Sequence, residues 1–202
     1  MGLFKLLFRV AKTKSRRSSR RTSVIITSGH TTTQSTTLQP SPVSDKVSSE
    51  KDFDRIQSLP AAKVEHVIDG DTVIVTVASS KLKIRLDSID CPEHGQEWGD
   101  IATRGLIKLI GGKTVQLEAH GTDVHGRTLG TIFVHLREKG KWQNVNERMV
   151  TLGHAWVTRL SYDHLPKSRQ QKLNQLERWA KSKRVGLWKT KNQVPPWKWR
   201  KI

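Results

Sequence analysis

The sequence predicts an α+β domain in which five short β-strands form a closed or nearly closed barrel, accompanied by three helices. Two observations predict this class. From Lys63 onward, runs rich in β-branched residues alternate apolar and polar positions, as half-buried strands do. Between and after these runs, three segments carry apolar residues at helical spacing. Barrel closure suits strands this short, because it removes exposed strand edges.

The first three strands lie close together along the chain. The segment KVEHVIDGDTVIVTV contains two β-branched runs, and Asp69-Gly70 between them is a strong signal for a two-residue hairpin turn. In KLKIRLDSI apolar and polar residues alternate, so that Ile84 and Leu86 lie on one face and Arg85 on the other. The segments TVQLEA and RTLGTIFVHL supply the fourth and fifth strands.

Three further segments predict the helices. DIATRGLIKLIGG places Ala102, Leu106 and Ile110 at helical spacing ahead of a Gly-Gly stop. NVNERMVTLG forms a short helix that ends at Gly153. HLPKSRQQKLNQLERWAKSKRVG forms a longer helix with a proline near its first turn and Leu176 in its apolar stripe.

The composition divides the chain into three parts. Residues 1–21 contain eight Lys or Arg and no acid, and form a basic amphipathic segment. Residues 22–60 form a linker that is rich in Ser and Thr and is expected to be disordered, because it offers little apolar surface to offset the entropy of ordering. Residues 61–202 form the folded domain, which still carries 25 basic and 14 acidic residues.

The N-terminal segment MGLFKLLFRVAKTKSRR separates its apolar and basic residues onto two helical faces. It is too short and too interrupted by charge for a cleavable secretory signal. We therefore expect peripheral contact with an anionic membrane surface, the alternative being a frayed tail that contains leucines. No apolar run approaches the length of a membrane span, and the sequence does not specify the cellular compartment.

The net charge of +18 indicates a polyanionic partner, either nucleic acid or an anionic membrane surface. The single cysteine excludes an internal disulfide framework and a cysteine-based zinc site. Net charge and cysteine count do not identify a reaction, so the chemical function has to be inferred from short motifs within the folded domain.

Three motifs carry residues suited to phosphodiester hydrolysis. Asp71 in VIDGDTV and Asp90 in IRLDSIDCPE offer carboxylates to a hard cation, and Cys91 offers its main-chain carbonyl. Glu93 is placed to polarise a water beside that ion. Each acid taken alone is equally compatible with ordinary turn or surface chemistry.

Two arginines complete this set. Arg85 in the second motif and Arg127 in DVHGRTLGTIF present planar guanidinium groups that match phosphate oxygens. Either one alone is also compatible with a solvated strand residue. The set serves both needs of the reaction, which are a positioned nucleophile and neutralisation of charge that gathers on the phosphate.

The three motifs in this order resemble the thermonuclease family, whose type is staphylococcal nuclease. The similarity runs from about Lys63 to Lys191 and includes the tail PPWKWRK. The resemblance implies an OB-type barrel with three helices, one Ca²⁺ ion held by Asp71, Asp90 and the Cys91 carbonyl, and other divalent ions as alternatives. It also implies that Glu93 is the general base and that Arg85 and Arg127 hold the phosphate. In the type enzyme the products are 3′-phosphorylated nucleotides from DNA or RNA.

Some positions depart from the family type. Cys91 replaces a threonine, which matters little if only its main chain binds the ion. A Lys-Tyr pair before the Gly-Arg of the third motif is replaced by Val124-His125, and one tyrosine, Tyr162, remains in WVTRLSYDH. These changes concern the nucleotide pocket, where His125 and Tyr162 are weaker candidate contacts. His125 is also compatible with a plain turn residue.

Trp197 and Trp199, interleaved with Lys198, Arg200 and Lys201, are further candidates for base stacking. The alternative, which we favour, is that these tryptophans pack back onto the domain. Taken together, the sequence predicts a monomeric, calcium-dependent, sugar-nonspecific endonuclease acting on DNA, RNA or both. The alternative is a nucleic-acid-binding module of the same fold with little or no catalysis.

Overall fold

The computed structural model describes residues 49–159 and 162–202. Five strands close into a barrel in the order β3-β2-β1-β5-β6, and β3 pairs in parallel with β6 to complete the ring. The predicted fold class is therefore confirmed. The strands are β1 Ala61–Val67, β2 Thr72–Val77, β3 Ser80–Leu86, β4 Ile89–Asp90, β5 Thr114–Thr122, β6 Thr128–Leu136, β7 Lys141–Asn144 and β8 Trp156–Val157.

Alternation along the strands sets which side chains enter the barrel. In β3, Ile84 and Leu86 are fully buried, while Arg85 between them faces away from the core. The buried residues of the five strands form one continuous core. Barrel closure pairs Arg85 with Leu129 of β6, so the strand that carries the first arginine lies beside the strand that follows Arg127.

The three predicted helices are present as α2 Gly99–Ile110, α3 Val145–Thr151 and α4 Lys167–Ser182. Asn146 of α3 is buried and fixes this helix to the barrel. Its amide group donates to the carbonyls of Asp87 and Gly130, and its oxygen accepts from the Ile132 amide. None of the helices within the described residues is long and apolar enough to cross a bilayer.

The predicted disordered linker is wrong for its last residues, because Glu50–Gln57 form an additional helix, α1. Ser49 caps this helix by accepting a hydrogen bond from the Asp52 amide, and Ile56 is buried. Arg55 pairs with Glu118 of β5 at 3.0 Å. Residues 1–48, including the predicted amphipathic segment, lie outside the described residues.

The predicted two-residue turn at Asp69-Gly70 is also wrong, because four residues separate β1 from β2. The Asp69 carboxylate accepts a hydrogen bond from the Asp71 amide at 2.9 Å, and Asp71 is held in turn by Cys91. A Cβ atom at Gly70 would lie 2.7 Å from the Cys91 Cβ. Tertiary anchoring of Asp71 therefore overrides the local hairpin preference.

The short strands β4 and β8 form a separate pair that brings Asp90 opposite Trp156. Beyond α4, the chain ends in one further short helix, α5 Pro196–Trp199. Gln96 fixes this C-terminal part to the motif region, because its side chain donates to the Val194 carbonyl at 2.5 Å and accepts from the Glu93 amide at 3.0 Å.

Candidate active site

The motif residues meet at one open pocket of about 440 Å³. All five side chains predicted for the reaction centre line it, although they come from three separate segments of the chain. The lining residues are Asp69, Asp71, Lys83, Arg85, Asp90, Glu93, His125, Arg127 and Arg200. The four acids and four Lys or Arg side chains balance in formal charge, so a divalent cation would leave the pocket positive and suited to a phosphodiester.

Arg85 links the two predicted metal-binding carboxylates. Its guanidinium lies 3.1 Å from the Asp71 carboxylate and 2.7 Å from the Asp90 carboxylate. It also donates to the carbonyls of Leu86 and Ile89. Burial lowers the pKa of this guanidinium, but Asp71 and Asp90 together raise it, so Arg85 remains charged.

Burial raises the pKa of Asp71 to about 7, although Arg85 opposes the shift and the neighbouring acids add to it. A buried carboxylate of this kind gains from a nearby cation. Its second oxygen accepts from the Cys91 amide at 2.6 Å, which fixes its direction.

The donor set fits a hard cation. Asp71 and Asp90 supply oxygens to one place, and the Cys91 thiol is turned away from this role because it donates to the Gly70 carbonyl at 3.1 Å. Burial also raises the pKa of this thiol well above its usual range, so it stays protonated. Cys91 therefore has only its main chain to offer.

Glu93 follows Pro92 and lies at the edge of the pocket, where about a third of its side chain is exposed to solvent. The turn after it is tight, because a Cβ atom at Gly99 would come within 2.1 Å of the Glu93 carbonyl oxygen. Together with the Gln96 bridge, this close approach fixes the backbone of the proposed base.

Arg200, which follows α5 near the C-terminus, contacts the carboxylates of Asp90 and Glu93. Its guanidinium lies 2.9 Å from the second Asp90 oxygen and also pairs with the Glu93 carboxylate. The hydrogen bond with Asp90 raises the pKa of Arg200, and Glu93 adds to the rise. Arg200 thus engages a predicted metal ligand and the predicted base at once.

Arg127 is oriented by Asp123 four residues earlier. The Asp123 carboxylate accepts from the Arg127 side chain at 2.8 Å and from its amide at 2.9 Å, and it also accepts from the His125 amide. Desolvation raises the pKa of Asp123, but these hydrogen bonds outweigh it and lower the pKa. The turn thereby delivers both Arg127 and His125 to the pocket.

The other candidate nucleic-acid contacts lie elsewhere. Tyr162 belongs to the core, and its hydroxyl accepts from Asn174 at 3.0 Å. Trp197 packs edge-on against Trp156, and Trp197 and Trp199 are each 39% exposed. None of these three side chains lines the pocket.

Sequence analysis did not assign Asp69, Lys83 and Arg200 to the site. Lys83 lies two residues before Arg85, so alternation along the strand was sufficient to find it. Asp69 belongs to the same acidic turn as Asp71. The position of Arg200 depends on how the C-terminal segment folds back, and no local pattern specifies that.

Comparisons with known proteins agree with this geometry. Residues 83–190 match the family model described as staphylococcal nuclease homologue. The chain is 35% identical to a micrococcal nuclease of Shigella flexneri over 154 residues, which are 72% of this chain and 86% of the relative. It is 37% identical over 142 residues to Protein ParB of Escherichia coli, covering 69% of this chain and 78% of the relative. An uncharacterized endonuclease of Escherichia coli O157:H7 is 36% identical over 138 residues, with 68% of this chain and 83% of the relative covered.

Proposed function

Because the chain belongs to the staphylococcal nuclease family and is a phosphodiester hydrolase, we propose that it is a calcium-dependent endonuclease with little sequence preference. DNA, RNA or both are its substrates. The observation that carries this proposal is the convergence of Asp71, Arg85, Asp90, Glu93 and Arg127 on one pocket.

Asp71, Asp90 and the main-chain carbonyl of Cys91 would hold the ion. When bound, a divalent cation neutralises charge that develops on the phosphate oxygens and orients the phosphate group. The fit rests on the all-oxygen donor set and on the buried carboxylate of Asp71.

The protein groups then divide the remaining work. Arg85 and Arg127 contact the non-bridging phosphate oxygens and stabilise the extra charge of the transition state. Glu93 accepts a proton from the attacking water, whose oxygen bonds to phosphorus. The bond from phosphorus to the 5′-oxygen breaks, and solvent supplies the proton that this leaving oxygen needs.

Arg200 must release Asp90 before this carboxylate binds the cation, and Glu93 before it accepts a proton from water. In the arrangement described, it pairs with both Asp90 and Glu93 and so competes with the ion for one and with water for the other. Release would also free a guanidinium at the pocket edge for substrate phosphate.

The test uses the full chain with end-labelled single-stranded DNA and RNA, with calcium and with a calcium chelator. Glu93→Gln should lower the cleavage rate about 10²- to 10⁴-fold, as loss of a positioned general base does. The matched control is Glu138→Gln, a solvent-exposed position beside β7, which should cleave at the normal rate.

Two results would contradict the proposal in different ways. Near-normal cleavage by Glu93→Gln would remove the assigned role of this residue. A folded wild-type chain that binds nucleic acid but leaves it intact in millimolar calcium would support the alternative, a binding module of the same fold.

A further inference from the structure

A second group of chemically distinctive side chains lies outside the pocket. Asp87 follows β3, His120 lies in β5 and His164 lies in the turn before α4. One ligand atom of each lies within 4.8 Å of the other two, although the residues are far apart in sequence. None of the three lines the pocket of the proposed active site.

The contacts within this group are short. The Asp87 carboxylate lies 2.6 Å from Nε2 of His164, and the rings of His120 and His164 have centroids 5.5 Å apart. Nε2 of His120 pairs with the hydroxyl of Thr131 at 2.9 Å. The Asp87 side chain is 2% exposed and the His164 side chain 36% exposed, so the group is open to solvent on one side.

An ordinary ion pair between His164 and Asp87 accounts for only part of this arrangement. It does not account for the second imidazole, whose ring nitrogen lies within 4.8 Å of the same buried carboxylate. Imidazole nitrogens next to a buried carboxylate form a combination of groups that binds metal ions.

We propose that Asp87, His120 and His164 form a binding site for a divalent transition-metal ion of the zinc class. Two imidazole nitrogens and one carboxylate are the ligands that such ions favour, with water in the fourth position. Calcium prefers an all-oxygen shell and is a poor occupant of this site. The site is therefore chemically distinct from the carboxylate pocket.

The geometry needs only a small adjustment. Zinc bonds of about 2.0–2.2 Å in a tetrahedron place ligand atoms about 3.3 Å apart. The Asp87–His164 pair at 2.6 Å must open to reach this separation, and all three ligand atoms already lie within 4.8 Å of one another. His164 is the exposed member and lies outside regular secondary structure, so it is the group that moves most easily.

Two arginines and one further acid lie near the site. Arg169 of α4 lies near His120, but it pairs with Glu118 at 2.9 Å, and Arg55 contacts the same carboxylate. The Asp87 carboxylate thus remains the local negative charge that a cation would meet. Metal binding would join the end of β3, β5 and the turn before α4.

The test is titration of the full chain, stripped of metal by a chelator, with Co²⁺ as a spectroscopic probe. We expect one equivalent to give the visible bands of a tetrahedral site, and Zn²⁺ to displace it. His164→Ala and His120→Ala should weaken binding about 100-fold or more, beyond the effect typical of outer-shell partners. His66→Ala, an exposed histidine on β1, should bind as the wild type does.

Two further controls separate this site from the proposed nuclease centre. Asp90→Asn removes a proposed calcium ligand and should leave the cobalt spectrum intact, and millimolar calcium should not displace cobalt. Absence of a visible band in the wild type would overturn the proposal, as would unchanged binding by His164→Ala. Because His164 is exposed, this variant should keep its fold, which circular dichroism would verify.

Discussion

Removal of Arg200 should tighten calcium binding. In the arrangement described, both amino groups of its guanidinium contact Asp90, at 2.9 Å and 3.4 Å, and one also pairs with Glu93. An ion that binds Asp90 has to displace these contacts. Arg200→Gln removes both the competing bonds and a positive charge that repels the ion.

The size of the effect follows from the exposure of this side chain. Charge-assisted hydrogen bonds contribute roughly 1.5–3 kcal/mol when buried, whereas exposed ion pairs contribute about 0.2–1 kcal/mol. The Arg200 side chain is 48% exposed and its partner Asp90 is 3% exposed. A contribution of about 1 kcal/mol is therefore appropriate, which corresponds to roughly fivefold tighter binding.

Isothermal titration calorimetry with Ca²⁺ would measure this change, with Lys201→Gln as the matched control. Lys201 is exposed and adjacent, so the control removes the same charge without the contacts. If calcium binds equally more tightly to both variants, the change in affinity is due to net charge and not to the contacts of Arg200. Unchanged or weaker calcium binding by Arg200→Gln would refute the competition between this arginine and the ion.

Three further changes test other parts of the structure. Arg127→Lys should lower the cleavage rate about 10²- to 10³-fold, because an ammonium replaces a planar group that contacts phosphate and Asp123 together; near-normal rates would contradict the phosphate contact. Gln96→Leu should destabilise the fold by about 1–3 kcal/mol in urea unfolding, since the Glu93 amide and the Val194 carbonyl lose their partner; unaltered stability would argue against this bridge. Burial lowers the pKa of His154 to about 4, so stability is complete above the unfolded pKa of about 6.5 and falls as the pH drops toward 4; in His154→Asn this slope should be smaller, as urea unfolding at several pH values would show.

The barrel was predictable because each of its strands carries a recognisable pattern within a short stretch of sequence. Alternation in β3 and the β-branched runs of β1 and β2 reflect burial on one face, and that signal is present in short windows. The same windows contain Asp71, Arg85, Asp90 and Glu93, so most of the pocket was accessible from motifs. Its remaining members depend on contacts between distant segments.

The features that the sequence did not predict also depend on contacts between segments that are distant in the chain. Helix α1 was missed because its composition is polar, and its packing depends on two apolar residues, Ile56, which is buried, and Phe53, which contacts His135 and Trp142. The Asp69-Gly70 turn was mispredicted because Cys91, 20 residues beyond Asp71, holds that carboxylate. The pairing of Arg200 with Asp90 spans 110 residues, and no local rule covers such a distance.

The parallel pairing of β3 with β6 has a consequence for misfolding. Slippage of this seam by one residue would turn Arg85 into the apolar interior and expel Ile84, which is fully enclosed in the native arrangement. The same slippage would also move Arg85 away from Arg127 and from the pocket that both line. The enclosed core and the geometry of the pocket therefore both depend on this alignment.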